Sequence, residues 1–430
     1  MLDIKFIREH IEDVRANIQR RGVRNADPDR AVALYADRVE ILQRLEAARK
    51  ERNETSQKMK GKLEAPEREA LIAKGKGLKE EIALLEEKIG GVDAEYEEAI
   101  RAIPNMTHPD VPTGGEEDAR EIARYGEPPA FDFEPKDHLA LGADLDILDF
   151  ETAAEVSGAK FYYLKNDGAF LELALVNYAL QKVAARGYAP HLTPDLARAD
   201  ILDAIGFNPR GEETQVYMIA GSDLCLIGTA EITLGGMLKG KVLSREDLPV
   251  RMGGFSHCFR TEAGAHGSYT RGLYRVHQFS KVEMFAFTTP ERSEELHQEM
   301  RDIEVEIFRE LGIPFRVIDI ATGDLGAPAY RKFDLEAWMP SRNGYGEVTS
   351  ASNCTDYQSR RLNIRCRDAE GNLRFVHTLN GTAIAIPRTI IAILENFQQA
   401  DGSVFIPEAL RPYMGGKEAI RSLRVADADM

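Results

Sequence analysis

The sequence predicts an α+β body, an antiparallel β-sheet flanked by helices, preceded by an N-terminal antiparallel two-helix coiled-coil arm. Three observations carry that expectation. Two long charged segments with heptad-spaced apolar residues lie on either side of Pro66. Beyond residue 150, apolar stretches of strand length recur without strict βαβ alternation. One of them, 275–283, alternates core residues with cations, an aromatic ring and a carboxylate.

The bulk properties set bounds. At 430 residues the chain is long enough for two or three domains and a substantial core. Its net charge of −16 excludes a bulk polycation, so nucleic acid must be met by local basic patches. Cys225, Cys258, Cys354 and Cys366 form no CxxC pair, which argues against a disulfide framework or a thiolate zinc site. The N-terminus is amphipathic and charged, unlike a signal or transit peptide. No stretch reaches the roughly 18 apolar residues of a membrane span. A cytoplasmic protein without a membrane partner is expected.

The arm occupies residues 1–103. A short amphipathic helix over 1–22 ends at Gly22. A first long helix runs from about 29 to 62, with Leu34, Ile41, Leu45, Ala48 and Met59 on its seam, and Arg38 and Arg52 interrupting it. The second, 67–103, is cleaner: Leu71, Leu78, Leu85, Val92 and Ala99 share one heptad position, and Gly75, Ile82, Ile89 and Tyr96 the other. Each helix would reach roughly 50 Å. A spacer or dimerisation arm is the plainer use of such a hairpin. Its tip shifts the balance. Residues 58–79 hold Lys58, Lys60, Lys62, Arg68, Lys74, Lys76 and Lys79 against Glu64, Glu67 and Glu69, seven basic minus three acidic, a local +4. A basic tip on an acidic protein suggests phosphate contact.

Residues 104–125 read as a Pro-, Gly- and acid-rich linker, and 126–430 as the globular body. A helix over 168–187 would bury Leu171, Leu175, Tyr178, Ala179 and Val183, and a strand follows to Pro194. Strands are expected near 214–220, 249–260, 273–287, 314–320, 344–352 and 373–379, paired antiparallel.

The strand within 273–287 carries the chemistry. Val276, Gln278, Ser280, Val282 and Met284 form one face; Arg275, His277, Phe279, Lys281 and Glu283 form the other. At about 3.3 Å per residue, the step from 275 to 283 spans roughly 27 Å, the scale of a nucleoside triphosphate with a small molecule beyond it. Three further clusters join it: Gly228-Thr229-Ala230-Glu231, then 346–353 (GEVTSASN), then 379–388 (LNGTAIAIPR). In the last, Pro387 suits a first helical turn, so Arg388 sits where the helix dipole is already positive. An anion or an electron-rich ring there would offset the cost.

These motifs, in this order, resemble a seryl-tRNA synthetase of bacterial type, a class II aminoacyl-tRNA synthetase. Phe259-Arg260-Thr261-Glu262 with its downstream strand matches the family's motif 2, 168–194 its motif 1 and 382–396 its motif 3. TAE at 229–231 and HTLNGT at 377–382 match the seryl branch. The resemblance implies the class II antiparallel sheet and the activation of L-serine with ATP, followed by transfer to tRNA(Ser), with tRNA(Sec) a further acceptor. It also implies a homodimer. It assigns ATP to Arg260, Thr261, Glu262, Arg275, Val276, Phe279, Glu347, Val348, Thr349, Ser350 and Arg388. Arg260 would take the α-phosphate, Glu262 the adenine amino group and Arg275 the outer phosphates. Phe279 and Arg388 would sandwich the adenine. Serine falls to Thr229, Ala230, Glu231, Arg260, Glu283, Asn380 and Thr382, with Glu283 on its hydroxyl. Glu347 and Ser350 would hold Mg²⁺ with the ATP; zinc finds no ligand set. The tRNA contacts would be Lys58, Lys60, Lys62, Lys74, Lys76 and Lys79. Two positions depart from the pattern: Gly228 stands where many members have Pro, and Thr382 where others have Ser.

Blander readings stand beside these. Arg260 and Glu262 could form an internal salt bridge, Glu283 could be a solvated strand residue, and His257, His266 and His277 are structural or loop residues. Arg360, Arg361, Arg365 and Arg367 suit either a solvated face or a tRNA acceptor end. A paralogue without catalysis should lack some of Arg260, Glu262, Glu283, Glu347 and Arg388, yet all five are present. An amino-acid:carrier-protein ligase would lack the arm and use zinc.

Overall fold

A computed structural model describes residues 1–62, 64–207, 215–262 and 271–422. His266 and residue 214 lie outside the described residues. The chain divides into two compact units, Met1–Met106 and Thr107–Met430.

In the first unit, short helices Ile4–Glu9 and Ile11–Arg20 precede two long ones, α1 (Pro28–Lys58) and α2 (Ala65–Ala102). Asp27 caps α1 through a side-chain bond to the Arg30 amide, and Pro28 starts it. The long helices pack through Ile41, Leu45 and Ala48 against Leu78, Ile82 and Leu85. Arg38 is tolerated on the seam because Asp93 answers it at 2.6 Å. A second cluster, Leu2, Ile7, Val14, Ile18, Ala31, Ala99, Ile100 and Ile103, closes the base of the hairpin.

The second unit is built on an eight-stranded sheet. Its strands are β1 (Arg120–Tyr125), β2 (Ala189–Leu192), β3 (Val250–Phe259), β4 (Gln278–Thr288), β5 (Phe315–Asp319), β6 (Arg331–Met339), β7 (Gly344–Asn353) and β8 (His377–Ala385). Their order is β1-β5-β6-β7-β8-β4-β3-β2. Every neighbouring pair is antiparallel except β2 with β3. Helices α3 (Asn166–Ala185), α4 (Ala230–Gly236), α5 (Ser293–Glu310) and α6 (Ile386–Asn396) flank it. No helix among the described residues is long and apolar enough to cross a membrane.

The period of two along β4 positions the site. Val282, Met284 and Ala286 enter the main apolar cluster with α3, α5 and α6. On the opposite face Phe285 and Phe287 enter a second cluster with Ile205, Cys225 and Leu234. That second cluster stops short of residue 283, so Glu283, Lys281 and Phe279 meet polar neighbours instead.

Five segments differ from expectation. Strand β4 begins at Gln278, because Gly272–Tyr274 form a 3₁₀ turn. The turn needs Gly272, whose φ is +61° and whose missing Cβ leaves room for His138. Residues 215–220 form no strand beyond a single bridge from Met218 to Cys225. The 373–379 stretch is divided: Leu373–Phe375 joins a small separate sheet, and β8 starts at His377. Strands β6 and β1 are additional, the latter within the segment read as linker. Its residues are exposed except for the half-buried Ala123 and Tyr125, as suits a charged edge strand.

Candidate active site

The turn after β3 sets the first group. The Arg260 amide donates to the His277 carbonyl at 3.0 Å, and the Arg260 carbonyl lies 3.0 Å from His277 Nδ1. That oxygen can only accept, so Nδ1 carries the proton. The His277 ring packs against Phe161 and Tyr217. The Arg260 guanidinium donates to the Gly228 carbonyl (3.4 and 3.3 Å) and sits 5.3 Å from the Phe279 ring centre. A Cβ at Gly228 would lie 2.6 Å from the Phe207 ring, so this departure from the family pattern is matched by a bulky neighbour.

The next residues form a polar floor. Thr229 caps α4, its Oγ1 accepting from the Glu231 amide at 3.2 Å, and Ala230 is buried in the first turn. Glu231 Oε1 accepts from Gln358 (2.7 Å) and Asn380 (2.9 Å). Burial, and then the neighbouring Glu283 charge, push the Glu231 acid up to about 7. Glu283 and Thr382 face each other across the β4–β8 pair, with the Thr382 hydroxyl 3.3 Å from Glu283 Oε2. Lys281 forms an ion pair with the same oxygen and lies 3.3 Å from Thr382 Oγ1.

The other end holds paired charges. Glu262 adopts φ +50°, a conformation uncommon for a non-glycine residue and enriched at functional sites. Its carboxylate bonds Arg275 at 3.0 Å rather than Arg260. Arg388, at the start of α6, is held by the Glu347 carboxylate and carbonyl, each at 3.0 Å, and lies 4.6 Å from the Tyr274 ring centre. Although desolvation pushes the other way, Arg388, then Lys332 and Arg260, hold the Glu347 acid below its usual range.

One cavity is lined by Arg260, Glu262, Arg275, Val276, Phe279, Glu347, Val348, Thr349, Thr382 and Arg388, with Tyr274 and Lys281. Ser350 lies beside it on β7. Thr261 follows Arg260, its amide bonded to the Gln215 carbonyl at 3.2 Å. Phe279 therefore faces Arg260 here, while Arg388 stacks on Tyr274. The arm lysines belong to the other unit. Lys74 is paired with Glu51 at 2.6 Å, and the remaining five are exposed.

The sequence matches two family models, the "Seryl-tRNA synthetase N-terminal domain" over residues 1–107 and the "tRNA synthetase class II core domain (G, H, P, S and T)" over 217–397. The chain belongs to the seryl-tRNA synthetases. It is 57% identical over 418 residues to a serine–tRNA ligase of Treponema denticola, covering 96% of this chain and 99% of that one. A Rubrobacter xylanophilus serine–tRNA ligase is 54% identical over 416 residues, 96% and 98% of the two chains. The seryl-tRNA synthetase of Pyrococcus horikoshii, solved with ATP, superposes with a TM-score of 0.87 at 38% identity, covering 98% of this chain and all of that one. The Naegleria fowleri cytoplasmic enzyme, solved with AMP, gives 0.83 at 31%, with 98% and 99% coverage.

For this seryl-tRNA synthetase, the structure adds Lys332 and Asp334, which sequence reasoning passed over. Asp334 faces Ser350 across β6 and β7 and lies 3.3 Å from Lys332. Burial, opposed chiefly by Lys332, pushes the Asp334 acid up to about 7. Its Oδ1 is buried without a hydrogen-bond partner. The signal was the alternation in 332–338 (KFDLEAW), with Lys332, Asp334 and Glu336 on one face. Glu347, Ser350 and Asp334 form a hard-oxygen set that fits Mg²⁺. Among the described residues no group of three or more His, Cys, Asp or Glu forms a metal cluster, and the four cysteines are buried and none is in a disulfide.

Proposed function

We propose that this protein activates L-serine with ATP and transfers the seryl group to tRNA(Ser), using the cavity bounded by Arg260, Phe279 and Arg388 and the floor around Glu283. One observation carries the reading: cations and an aromatic ring share a cavity with Thr382 and Lys281, which contact Glu283. A nucleotide fits the first set and a small hydroxy amino acid the second.

The serine carboxylate attacks the α-phosphorus of ATP; a P–O bond forms and the bond to the bridging oxygen breaks, releasing pyrophosphate. The 3′-hydroxyl of tRNA then attacks the seryl carbonyl, and AMP leaves. A carboxylate nucleophile needs no general base, so positioning and charge neutralisation carry the first step. Arg260 orients the carboxylate against the α-phosphate. Arg275 takes the outer phosphates once Glu262 turns to the adenine amino group. The adenine enters between Phe279 and Arg388, which leaves Tyr274. Glu347 and Ser350, with Asp334 behind, would hold Mg²⁺, which neutralises phosphate charge when bound.

Glu231 is well placed for the serine ammonium. The ammonium is held chiefly by the carboxylate's charge, which is lost as the acid form grows below about pH 7. kcat/KM reports the free enzyme, so it should fall about tenfold per pH unit below that value. A pH series of serine-dependent exchange checks this; Glu231→Gln should lower the plateau and remove the limb.

On this reading the protein works in the cytoplasm, where its substrates are. Phe170 (59% exposed) and Leu173 (64%) on α3, with Leu192 (79%) on β2, support a homodimer through the motif 1 face. Sedimentation equilibrium should give twice the chain mass. The central test is pyrophosphate exchange into ATP with all twenty amino acids. Exchange should be strong with serine and far weaker with alanine. Silence at saturating serine would remove the enzyme reading.

A further inference from the structure

The reading above gives Lys281 no task. A lysine 7% exposed on a strand is unusual and must be answered by its surroundings. Its ammonium has three N–H groups. One goes to Glu283 and one to Thr382. The single Thr382 proton goes to Glu283, so that hydroxyl has none left for a ligand. Glu283, 2% exposed, only accepts. Within this triad, the third Lys281 N–H is the donor that remains, and Lys281 and Thr382 both line the cavity.

Charge points the same way. Glu231 lies within electrostatic reach of Glu283, with Glu304 beyond the sheet and Arg260 and Cys258 nearby. Two ionised floor carboxylates would invite a cationic side chain. Lys281 cancels one of them. Glu283 is left fit for a neutral hydroxyl, and Glu231 for the substrate ammonium.

We propose that Lys281 is a specificity-determining residue of the amino-acid pocket, neutralising Glu283 and donating to the oxygen of the substrate hydroxyl. The hydroxyl would then give its proton to Glu283 and accept from Lys281, so both of its hydrogen-bonding capacities select for it. This rests on the serine reading of the same site.

The test is pyrophosphate exchange with serine, alanine and cysteine by the wild type, Lys281→Met and Lys281→Gln. A charge-assisted bond of this kind corresponds to about 10- to 100-fold. Lys281→Met should lose about that much in kcat/KM for serine and little for alanine. The serine-to-alanine ratio should therefore collapse, while the KM for ATP stays within about threefold. Lys281→Gln, which restores a donor without charge, should recover part of the ratio. A merely structural lysine would lower both amino acids together and leave the ratio intact, which would overturn the proposal. If Lys281→Met does not fold, Lys281→Gln reads the same ratio. Wild-type discrimination needs no variant. A thiol accepts hydrogen bonds poorly, so cysteine should fall at least about thirtyfold below serine; use of cysteine within tenfold of serine would refute the ammonium–oxygen contact. A wild type inert with serine would instead remove the underlying reading.

Discussion

Replacing residues 46–84 with a short glycine-rich turn should leave serine-dependent pyrophosphate exchange within about twofold and lower tRNA charging by about 10³-fold. The cut is chosen from the packing. It keeps the base cluster of Ile7, Val14, Ile18, Ala31, Ala99 and Ile100, and it keeps Ile41, Leu45, Leu85 and Val92 along the stem. The whole hairpin from 30 to 100 could not be removed so cleanly, because Ala31, Tyr96 and Ala99 belong to the base. What leaves is the tip with Lys58, Lys60, Lys62, Lys76 and Lys79, together with Lys74, whose charge already has Glu51 beside it. Every residue assigned to ATP or serine lies in the second unit, so adenylation should not depend on the tip. Phosphate contacts release counterions, so wild-type charging should weaken steeply with salt, and the trimmed protein should have a shallower slope. Aminoacylation and exchange measured in parallel between low and moderate salt decide it. Equal charging by the trimmed protein would show that the arm does not deliver tRNA.

The sequence made some of this legible and hid the rest for physical reasons. The α2 heptads could be read because a two-helix seam is local and periodic. Strands β3, β5 and β7 could be read because apolar runs bounded by turns mark buried strands. Strand β6 escaped because its polar face, Lys332, Asp334 and Glu336, dilutes the apolar signal, and that face lies beside the proposed metal position. Strand β1 escaped because a charged edge strand resembles a linker. The alternating face of 275–283 was half right. Phe279, Lys281 and Glu283 share it, but the Gly272–Tyr274 turn takes Arg275 off the strand, and it reaches Glu262 from the loop. A straight row of roughly 27 Å at 3.3 Å per residue becomes a folded pocket. The pairings of Arg388 with Glu347, and of Lys281 with Glu283 and Thr382, follow from sheet register and helix placement. A single sequence does not state either. His277, without a task in the sequence, proves to fix the Arg260 backbone.

Arg260→Met should lower kcat in pyrophosphate exchange by about 10³-fold or more, with a much smaller rise in the KM for ATP. The Arg260 backbone is clamped on both sides by His277, and its guanidinium is anchored on the Gly228 carbonyl and over the Phe279 ring before any substrate binds. The cost of placing the charge is therefore met during folding, which is the condition for strong electrostatic stabilisation. In the proposed reaction Arg260 touches both reacting groups, the serine carboxylate and the α-phosphate. Their mutual repulsion grows as the new P–O bond forms, so losing the cation should fall mainly on the transition state. Arg260→Lys separates charge from shape. An ammonium keeps the positive charge but lacks the planar fork that can bridge a carboxylate and a phosphate while holding Gly228. It should recover less than about tenfold of the lost rate. Steady-state exchange with ATP and serine varied independently, and ATP affinity measured by calorimetry, separate the possibilities. A variant whose deficit lies wholly in ATP affinity would make Arg260 a binding residue and return the transition-state role to Arg388 and Arg275.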